Sequence, residues 1–569
     1  MPMKTATNNT PQAFQKTIAI LQLTRFGDLI QTYQAVQNLK SNYPQYRVIL
    51  IGRSQFVNHL SFILKKAFDE IYTLDTKKIF NDHETTGLNP CINHLNAFLN
   101  TIKSESIEVL INLSFSKSSS YLMSLIPSTH KIGPFYDFSN RLVINDKWSQ
   151  MLYATVMRGT SNPFSLVDLF KNIIGIKENN SKKSHLSLVK NERKKNIVIH
   201  PFASQERKMW KPEKWVEVIY KTLKDNDNFS ITLVGAKNEF LKSQLITENP
   251  LLKTFSPRIK NLTGKTTVEE LYQELENSVL FVGHDSMVGH LASLTNTPTL
   301  TVSMGSVRPF ETTPYHSQAY NLAPRTKCFP CFPNDKCNYF QCHHDIPYQV
   351  VTSSIKELIQ HGEINTKTLK DTVSSFHLSS VNFYRSTIVD GKMKLNNLVD
   401  VGQDVSDIFR TLYRITWSFV IAEQEESMGF PRLTHQTHQD LLSHMSGLQH
   451  LFELSDFGKR YSRYILEEIA SQTPSVNKIK EFSKKIDEID QLQKLVQKTA
   501  PELAPIIDYY TLRKANLFGD NIVKLTESSY GVFEECGDMC RILYELIENS
   551  IAEYKNSSRG SVQRTDHNK

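Results

Sequence analysis

The feature that most constrains this chain is an alternation of short apolar runs with helical patterns, which occurs twice before residue 362. The run TIAILQL (17–23) is followed by GDLIQTYQAVQNLKSNY (27–43), in which apolar residues recur at helical spacing. After the polar stretch 177–195, NIVIHPF (196–202) begins a second alternation of the same kind. Apolar strands that alternate with helices form parallel sheets covered on both faces. The pattern predicts an α/β fold with two Rossmann-like lobes in tandem.

Domain boundaries follow from where these patterns start and stop. The stretch 376–395 alternates in polarity and contains Asp390-Gly391, a pair typical of a hairpin turn. From about residue 403 the apolar residues follow a helical spacing instead. The predicted parts are an N-terminal Rossmann-like lobe at 17–190, a second Rossmann-like lobe at 191–362, a hairpin or linker region at 363–402, a mainly α-helical domain at 403–555, and flexible tails at 1–16 and 556–569.

Composition and charge exclude several classes of protein. Of the 569 residues 40% are apolar and 22% charged, which excludes a disordered or fibrous chain. No apolar run approaches the roughly 18 residues of a membrane span, and the first 16 residues lack the apolar core of a signal peptide, so we expect a cytoplasmic location. The 66 Lys and Arg against 58 Asp and Glu give a modest excess without one long basic run, which argues against nucleic acid as a partner.

Three turns that follow predicted strands carry polar residues suited to chemistry. In TRFGDL (24–29), Gly27 allows a sharp bend and Asp28 stands at the start of a helix, where it is either a helix cap or a catalytic carboxylate. In HPFASQERKMWKPEKW (200–215), a loop with Ser204, Arg207 and Lys208 either binds a phosphate or is an ordinary surface loop. Ligands of doubly wound sheets bind outside the carboxyl ends of strands, which is where these turns are expected.

The third turn lies in VLFVGHDSMVGHLASL (279–294). A strand delivers Asp285 and Ser286 to the start of a helix, whose unpaired N–H groups suit a diphosphate. His290 follows one helical turn later and is either a ligand-binding residue or a packed, hydrogen-bonded histidine.

Together these segments resemble the glycosyltransferase family 9 heptosyltransferases, over about residues 17–361. The third turn takes part as FVGHDSMVGHLASLTNTPTL (281–300), and three further segments share the resemblance. They are IEVLINLSFSKSSSYLMSLIPSTHKIGPF (107–135), NLTGKTTVEEL (261–271) and GSVRPFETTPY (305–315).

The resemblance implies a GT-B architecture, with a nucleotide-sugar donor held mainly by the second lobe and the acceptor by the first. It implies inverting transfer of a heptose from ADP-heptose, or of a related sugar, to a lipopolysaccharide-core or protein acceptor, with no cofactor required for the chemistry. Asp28 would be the general base and Lys208 the diphosphate-binding lysine. The other residues expected to bind the donor are Ser204, Glu239 (near the ribose), Asp285, Ser286 and His290.

One position departs from the family pattern. Met287 stands where the family usually has glycine after the Asp-Ser or Asp-Thr pair, and a side chain there must point away from a bound phosphate. This keeps a second hypothesis open, in which a catalytically degenerate GT-B protein binds a nucleotide or a partner through its helical C-terminal domain.

Four of the seven cysteines crowd into CFPCFPNDKCNYFQCHH (328–344). The spacing of Cys328, Cys331, Cys337 and Cys342 suits a structural zinc or iron ion, and the alternative is a set of reduced, unpaired thiols. The segment resembles a cysteine-bearing loop that holds iron in some protein-modifying heptosyltransferases. Cys536 and Cys540 lie at helical spacing and are expected to be core residues.

The C-terminal 200 residues have no counterpart in the family. Their helices could form a homo-oligomer, recognise a protein acceptor or partner, or make peripheral contact with the inner membrane. We favour acceptor or partner recognition, because an enzyme acting on a lipid core does not need so much additional chain.

Overall fold

The structure is a computed structural model and describes residues 16–80, 88–176, 195–332, 335–399, 402–424, 426 and 431–565. The chain divides into two units. The first comprises Met1–Asn145, Phe170–Asn179 and Thr267–Glu269, and the second comprises Asp146–Leu169, Asn180–Thr266 and Glu270–Lys569.

A parallel sheet forms the framework of the first unit. Its five strands lie in the order β3-β2-β1-β4-β5. Both neighbours of β1 run parallel to it, and Ala19, Ile20 and Leu21 in its centre are fully buried. An antiparallel pair, β6 and β7, completes the unit. The strands are β1 Lys16–Gln22, β2 Tyr46–Arg53, β3 Glu70–Leu74, β4 Ile107–Asn112, β5 His130–Ile132, β6 Pro134–Tyr136 and β7 Leu142–Ile144.

An eight-stranded sheet forms the framework of the second unit, in the order β10-β9-β8-β11-β12-β13-β14-β15. The strands from β10 to β13 run parallel, whereas β14 and β15 are antiparallel to their neighbours. The strands are β8 Asn196–His200, β9 Ser230–Leu233, β10 Ile259–Asn261, β11 Leu280–His284, β12 Thr299–Val302, β13 Ala319–Pro324, β14 Val381–Val389 and β15 Lys392–Asn397.

The hairpin around Asp390-Gly391 belongs to this second sheet. Both turn residues have positive φ, 50° and 71°, as a tight hairpin turn requires. Strand β14 begins at Val381 and not at Phe376, because the Ser374 hydroxyl caps a short helix, Ser375–Ser379. The hairpin therefore extends the second sheet and is not a free linker.

Helices connect and cover these strands. In chain order the α-helices are Phe26–Val36, Leu39–Asn42, Ser54–Leu64, Thr76–Phe80, Leu88–Lys103, Lys117–Leu125, Lys147–Leu152, Leu166–Ile174, Pro212–Asp225, Phe240–Thr247, Val268–Glu276, Met287–Ala292, Pro309–Thr312, Gln341–His344, Tyr348–His361, Thr366–Thr372, Ser375–Ser379, Val405–Ala422, His435–Ala470, Val476–Thr499, Ala504–Ala515 and Ile522–Thr565. Short 3-10 helices cover Glu206–Lys208, Lys237–Glu239, Pro250–Arg258 and Pro501–Leu503, and Tyr153–Met157 is a π-helix.

The helices after residue 404 pack around large buried side chains. The rings of Trp417 and Tyr509 meet edge-to-face with their centres 5.1 Å apart, and both side chains are buried. Gly458 allows helix His435–Ala470 to approach the ring of Phe533, since a Cβ there would collide with it. Cys536 and Cys540 are 3% and 1% exposed, which confirms them as core residues.

The fold class expected from the sequence is confirmed in its two α/β units with parallel strands and its large helical C-terminal region. Within the described ranges, none of the helices combines the length and the apolarity that crossing a membrane requires.

Candidate functional site

In the first unit, Asp28 lies in the first turn of helix Phe26–Val36, which follows β1. Its Oδ2 accepts a hydrogen bond of 3.0 Å from the Arg25 N–H, so the carboxylate caps the helix as the sequence allowed. Gln22 braces the turn, because its side chain accepts from the Thr24 hydroxyl and donates to Thr32 Oγ1. The turn therefore holds a half-exposed carboxylate near the carboxyl end of the central strand.

In the second unit, three polar side chains lie together at the carboxyl edge of the sheet: His200, Ser286 and Glu239. Gly283 pairs with His200, and a Cβ at Gly283 would lie 2.7 Å from the His200 carbonyl oxygen. The His200 ring links two sides: its Nδ1 lies 3.0 Å from Ser286 Oγ, and its Nε2 lies 3.8 Å from Glu239 Oε2. Burial raises the pKa of Glu239, but the His200 contact and the Ala236 N–H outweigh it, so the pKa is lowered and the carboxylate form is favoured.

Lys208 and Asp285 meet beside this group. The Lys208 ammonium lies 3.4 Å from Asp285 Oδ2, and the two side chains are only 19% and 12% exposed. An ammonium held in this way is a point charge that a diphosphate can bind. Ser204 lies exposed at the start of the same loop, and His290 is 6% exposed in the helix that follows Ser286.

His284 fastens the loop that carries Lys208 to strand β11. Its Nε2 accepts hydrogen bonds from the Trp210 backbone N–H at 3.0 Å and from Trp215 Nε1 at 3.2 Å, and its Nδ1 donates to the Val302 carbonyl at 3.0 Å. Two donors on Nε2 require that this nitrogen carry no proton. Burial lowers the pKa of His284 to about 3, which keeps the ring neutral.

The cysteine segment clamps the same loop from its other side. The Arg207 carbonyl accepts from His343 Nε2 at 2.9 Å, and the Arg207 guanidinium donates to the Phe332 and Asp335 carbonyls. Gly305 has a φ of +64°, and a Cβ there would lie 2.5 Å from the Arg207 carbonyl oxygen. The backbone beside Lys208 is therefore enclosed by residues that lie more than 95 positions away in the sequence.

The four predicted metal ligands are not arranged as a finished metal site. Burial raises the pKa of Cys331 and of Cys342, and the neighbouring thiols add to the increase. The Phe340 N–H lies 3.4 Å from the sulfur of Cys337. Across the part of the chain that the structure describes, no three His, Cys, Asp or Glu side chains lie close enough to hold a metal ion.

Sequence reasoning missed His200 and His284 as functional residues, although both stand in segments that it quoted. The sequence feature that could have identified them is a histidine at the end of an otherwise apolar strand, because a buried imidazole there needs hydrogen-bond partners. Glu311 was not predicted either. Its carboxyl group is 7% exposed and belongs to the short helix Pro309–Thr312, in the connection after β12. Of the predicted residues, the structure brings Lys208 to Asp285 and joins Ser286 to Glu239 through His200, whereas Asp28 belongs to the first unit.

Comparison with known proteins gives three kinds of similarity. The model of the family described as Glycosyltransferase family 9 (heptosyltransferase) matches residues 95–340. Lipopolysaccharide heptosyltransferase 3 of Escherichia coli (strain K12) is 23% identical over 287 residues, which are 48% of this chain and 79% of that protein. Lipopolysaccharide core heptosyltransferase OpsX of Haemophilus influenzae (strain ATCC 51907 / DSM 11121 / KW20 / Rd) is 23% identical over 318 residues, 53% of this chain and 82% of that protein. The solved structure of E. coli heptosyltransferase WaaC with ADP is 15% identical, with a TM-score of 0.44, and the match covers 60% of this chain and 99% of that one.

The family match includes the loop of Lys208, the Asp285-Ser286 turn and most of the cysteine segment, and it ends before the C-terminal helices. Residues 95–340 therefore match a domain of glycosyltransferase family 9, and these relatives indicate that the chain is a glycosyltransferase.

Proposed function

We propose that this chain transfers a heptose, or a related sugar, from a nucleotide sugar such as ADP-heptose to a lipopolysaccharide-core or protein acceptor, with inversion at the anomeric carbon. The observation that carries the proposal is the group at the carboxyl ends of β8 and β11, where Lys208 and Asp285 stand beside Ser286, His200 and Glu239. Open parallel sheets bind nucleotides at this edge. The names of the two curated relatives support a heptose as the sugar.

Each residue of the group has a role in binding the donor. The Lys208 ammonium would bind the diphosphate and stabilise the negative charge that grows on it as it leaves. The Ser286 hydroxyl would donate to a phosphate oxygen, and the Glu239 carboxylate would accept from ribose hydroxyls. His200 would position both side chains, since its ring contacts each of them.

The bond changes balance without a metal or cofactor. The acceptor hydroxyl oxygen forms a bond to the anomeric carbon while the bond from that carbon to the diphosphate breaks. The diphosphate leaves with the electron pair of the broken bond. The hydroxyl proton passes to a general base within about 3 Å, for which we propose the Asp28 carboxylate.

The assignment of Asp28 is testable because its two roles separate in two variants. Asp28→Asn retains an oxygen that can accept from the Arg25 N–H but removes the base, so we expect normal folding and a kcat lower by about 10²–10⁴. Asp28→Ala removes the cap as well, at a further cost of about 1 kcal/mol in stability. Initial rates with ADP-heptose and melting temperatures measure both effects, and wild-type kcat in Asp28→Asn would show that another group is the base.

The second candidate is a protein that binds a nucleotide without turnover, and Met287 is the observation that favours it. Met287 begins helix Met287–Ala292 directly after Ser286 and is half-buried. Mass spectrometry of reactions with ADP-heptose and with an acceptor distinguishes the candidates. A transferred or hydrolysed sugar supports the enzyme, whereas ADP binding with an intact donor supports the binding protein.

The remaining expectations stay predictions. They are a structural zinc or iron ion at Cys328, Cys331, Cys337 and Cys342, a cytoplasmic location, peripheral contact with the inner membrane, and homo-oligomers formed by the helical region. Metal analysis of the purified chain, beside a Cys331→Ser and Cys337→Ser double variant, tests the first of these.

A further inference from the structure

The loop at residues 305–315 borders the proposed donor group at three places. At its start, Gly305 lies against the Arg207 backbone next to Lys208. At its end, Pro314 packs on Gly289 in the helix that follows Asp285 and Ser286, since a Cβ on Gly289 would meet it at 3.4 Å. Between them stands Glu311, whose carboxyl group lies within electrostatic reach of Asp285. The position of this loop therefore affects both sides of the donor group.

Helix Val405–Ala422 of the C-terminal region holds the middle of that loop. The Arg410 guanidinium lies over the ring of Phe310, 4.2 Å from its centre, and the ring of Tyr384 contacts Phe310 edge-on with the ring centres 5.2 Å apart. Arg410 also forms an ion pair with Asp407, one helical turn earlier, and only 19% of its side chain is exposed. A guanidinium held by Asp407 and placed on an aromatic ring is a rigid support for the loop.

The charges around Glu311 show why the support has to be cationic. Glu311 is 7% exposed, and burial raises its pKa to about 7. Arg308, a hydrogen bond from Asn162 and Arg410 lower the pKa, and Asp285 raises it. The charged groups among them, Arg308, Asp285 and Arg410, act on the carboxyl group from its own loop, from the Asp285 turn and from the C-terminal helix. Without Arg410, the carboxylate form of Glu311 would lose a compensating cation.

We propose that Arg410 is a positioning residue of the glycosyl-donor site, and that the C-terminal helical region, through Arg410, Phe310 and Glu311, holds the loop at residues 305–315 in its donor-binding position. The inference presupposes the proposed function, because the site that it extends is the proposed nucleotide-sugar site. It gives the helical region a role in donor binding in addition to any contact with an acceptor or partner.

The test compares Arg410→Met with a matched control, Arg541→Met. Arg541 also pairs with an aspartate three residues earlier, Asp538 at 3.2 Å, but its side chain is 56% exposed. Isothermal titration with ADP measures binding, and hydrogen exchange of residues 305–315 measures the loop itself. We expect Arg410→Met to weaken ADP binding about tenfold, equivalent to about 1.4 kcal/mol, and the control to change it less than about twofold.

Further variants separate positioning from general stability. Arg410→Lys keeps the positive charge but loses the planar guanidinium on the ring, so we expect an ADP affinity between those of Arg410→Met and wild type. With ADP-heptose, Arg410→Met should raise KM and change kcat little, and its exchange should be faster at 305–315 and unchanged in β8 and β11. If Arg410→Met does not fold, Phe310→Leu removes the ring contact, leaves the ion pair intact and should weaken ADP binding in the same way.

The outcomes decide between the two claims. The inference is overturned if Arg410→Met shows both the ADP affinity and the hydrogen exchange of wild type. It is also overturned if Phe310→Leu binds ADP as tightly as wild type. Either result counts even if the chain transfers heptose. Equal effects in Arg541→Met overturn it as well. A wild-type chain that binds neither ADP nor ADP-heptose overturns the proposed function, whereas faster exchange confined to 305–315 in Arg410→Met still supports the link between the helix and the loop.

Discussion

Glu311 is a buried acid whose protonation is coupled to folding. Its pKa rises from 4.5 to about 7 in the folded chain, chiefly through burial. The folded chain thus holds this proton more tightly than the unfolded chain, so its contribution to stability is present below about pH 4.5 and is lost as the pH rises to about 7.

Replacing Glu311 with glutamine should remove this loss. We expect Glu311→Gln to exceed wild type in stability by an amount that grows between pH 5 and pH 8, by up to about 3 kcal/mol. Melting temperatures of both chains across this range measure the growing difference. A constant difference between the two chains would mean that Glu311 does not titrate in this range.

His284 shows the opposite dependence. Its pKa falls from 6.5 to about 3 on burial, so the unfolded chain binds the proton more tightly, and stability is lost as the pH falls below about 6.5. His284→Phe should weaken this acid sensitivity. The same variant leaves the Trp210 N–H and Trp215 Nε1 without their acceptor, so we expect the free energy of unfolding to fall by about 2–4 kcal/mol at pH 7.5. Urea unfolding followed by tryptophan fluorescence, at pH 7.5 and 5.5, checks both effects, and equal acid sensitivity in the two chains would contradict the lowered pKa of His284.

At the scale of elements, the loop of Lys208 is held by segments that are distant in the sequence. Strand β11 fastens it through His284, and the cysteine segment fastens it through His343. The loop therefore does not depend on its own short 3-10 helix for its position. A change in the packing of either neighbour should alter donor binding without touching the donor.

Gly305 tests this dependence. An alanine there needs a left-handed backbone and places its Cβ 2.5 Å from the Arg207 carbonyl oxygen, so we expect Gly305→Ala to raise the KM for ADP-heptose about tenfold. Gly175→Ala is the matched control, because Gly175 has a φ of +79° and no atom within 4 Å of the added Cβ. Steady-state kinetics of both variants make the comparison, and equal KM values would show that the contact with Arg207 does not position Lys208.

For the whole molecule, the second sheet and the C-terminal helices depend on each other. Phe383 of β14 is fully buried beside Leu322 of β13, so the sheet is not complete at residue 365. In the C-terminal helices, Ile408 and Phe409 of helix Val405–Ala422 are also fully buried. The helical region therefore packs as part of the second unit.

Shortened chains should reveal this order of dependence. A chain that ends at residue 365 loses the partner strand of β13, and we expect it to aggregate. A chain that ends at residue 402 keeps all eight strands of the sheet, so it should remain in solution, with a lower melting temperature and weaker ADP binding. Size-exclusion chromatography and thermal melts distinguish the two, and similar behaviour of both chains would mean that β14 and β15 are dispensable.

The alternation of strands and helices could be predicted because its signal is local. Periods of two and 3.6 residues reflect which side chains face the core, and the chain carries them within each short segment. Local signals also placed Asp28, Lys208, Asp285 and Ser286 at the ends of strands, where the structure has them. Strand β13 carries no such local signal, because its six residues, AYNLAP, include a proline and an asparagine and become a strand through their neighbours.

Contacts between distant segments could not be predicted in this way. Three contacts join residues between 69 and 100 positions apart. They are the hydrogen bond from Trp215 to His284, the close approach of Gly305 to Arg207, and the stacking of Arg410 on Phe310. No periodicity in the chain encodes such pairs, because burial and hydrogen bonding depend on which surfaces meet after folding. Local patterning thus determined the elements and the edge of the sheet that carries the polar residues. Packing between elements shifted the pKa values of His284 and Glu311 and joined the C-terminal helices to the second unit, because burial depends on which surfaces meet after folding.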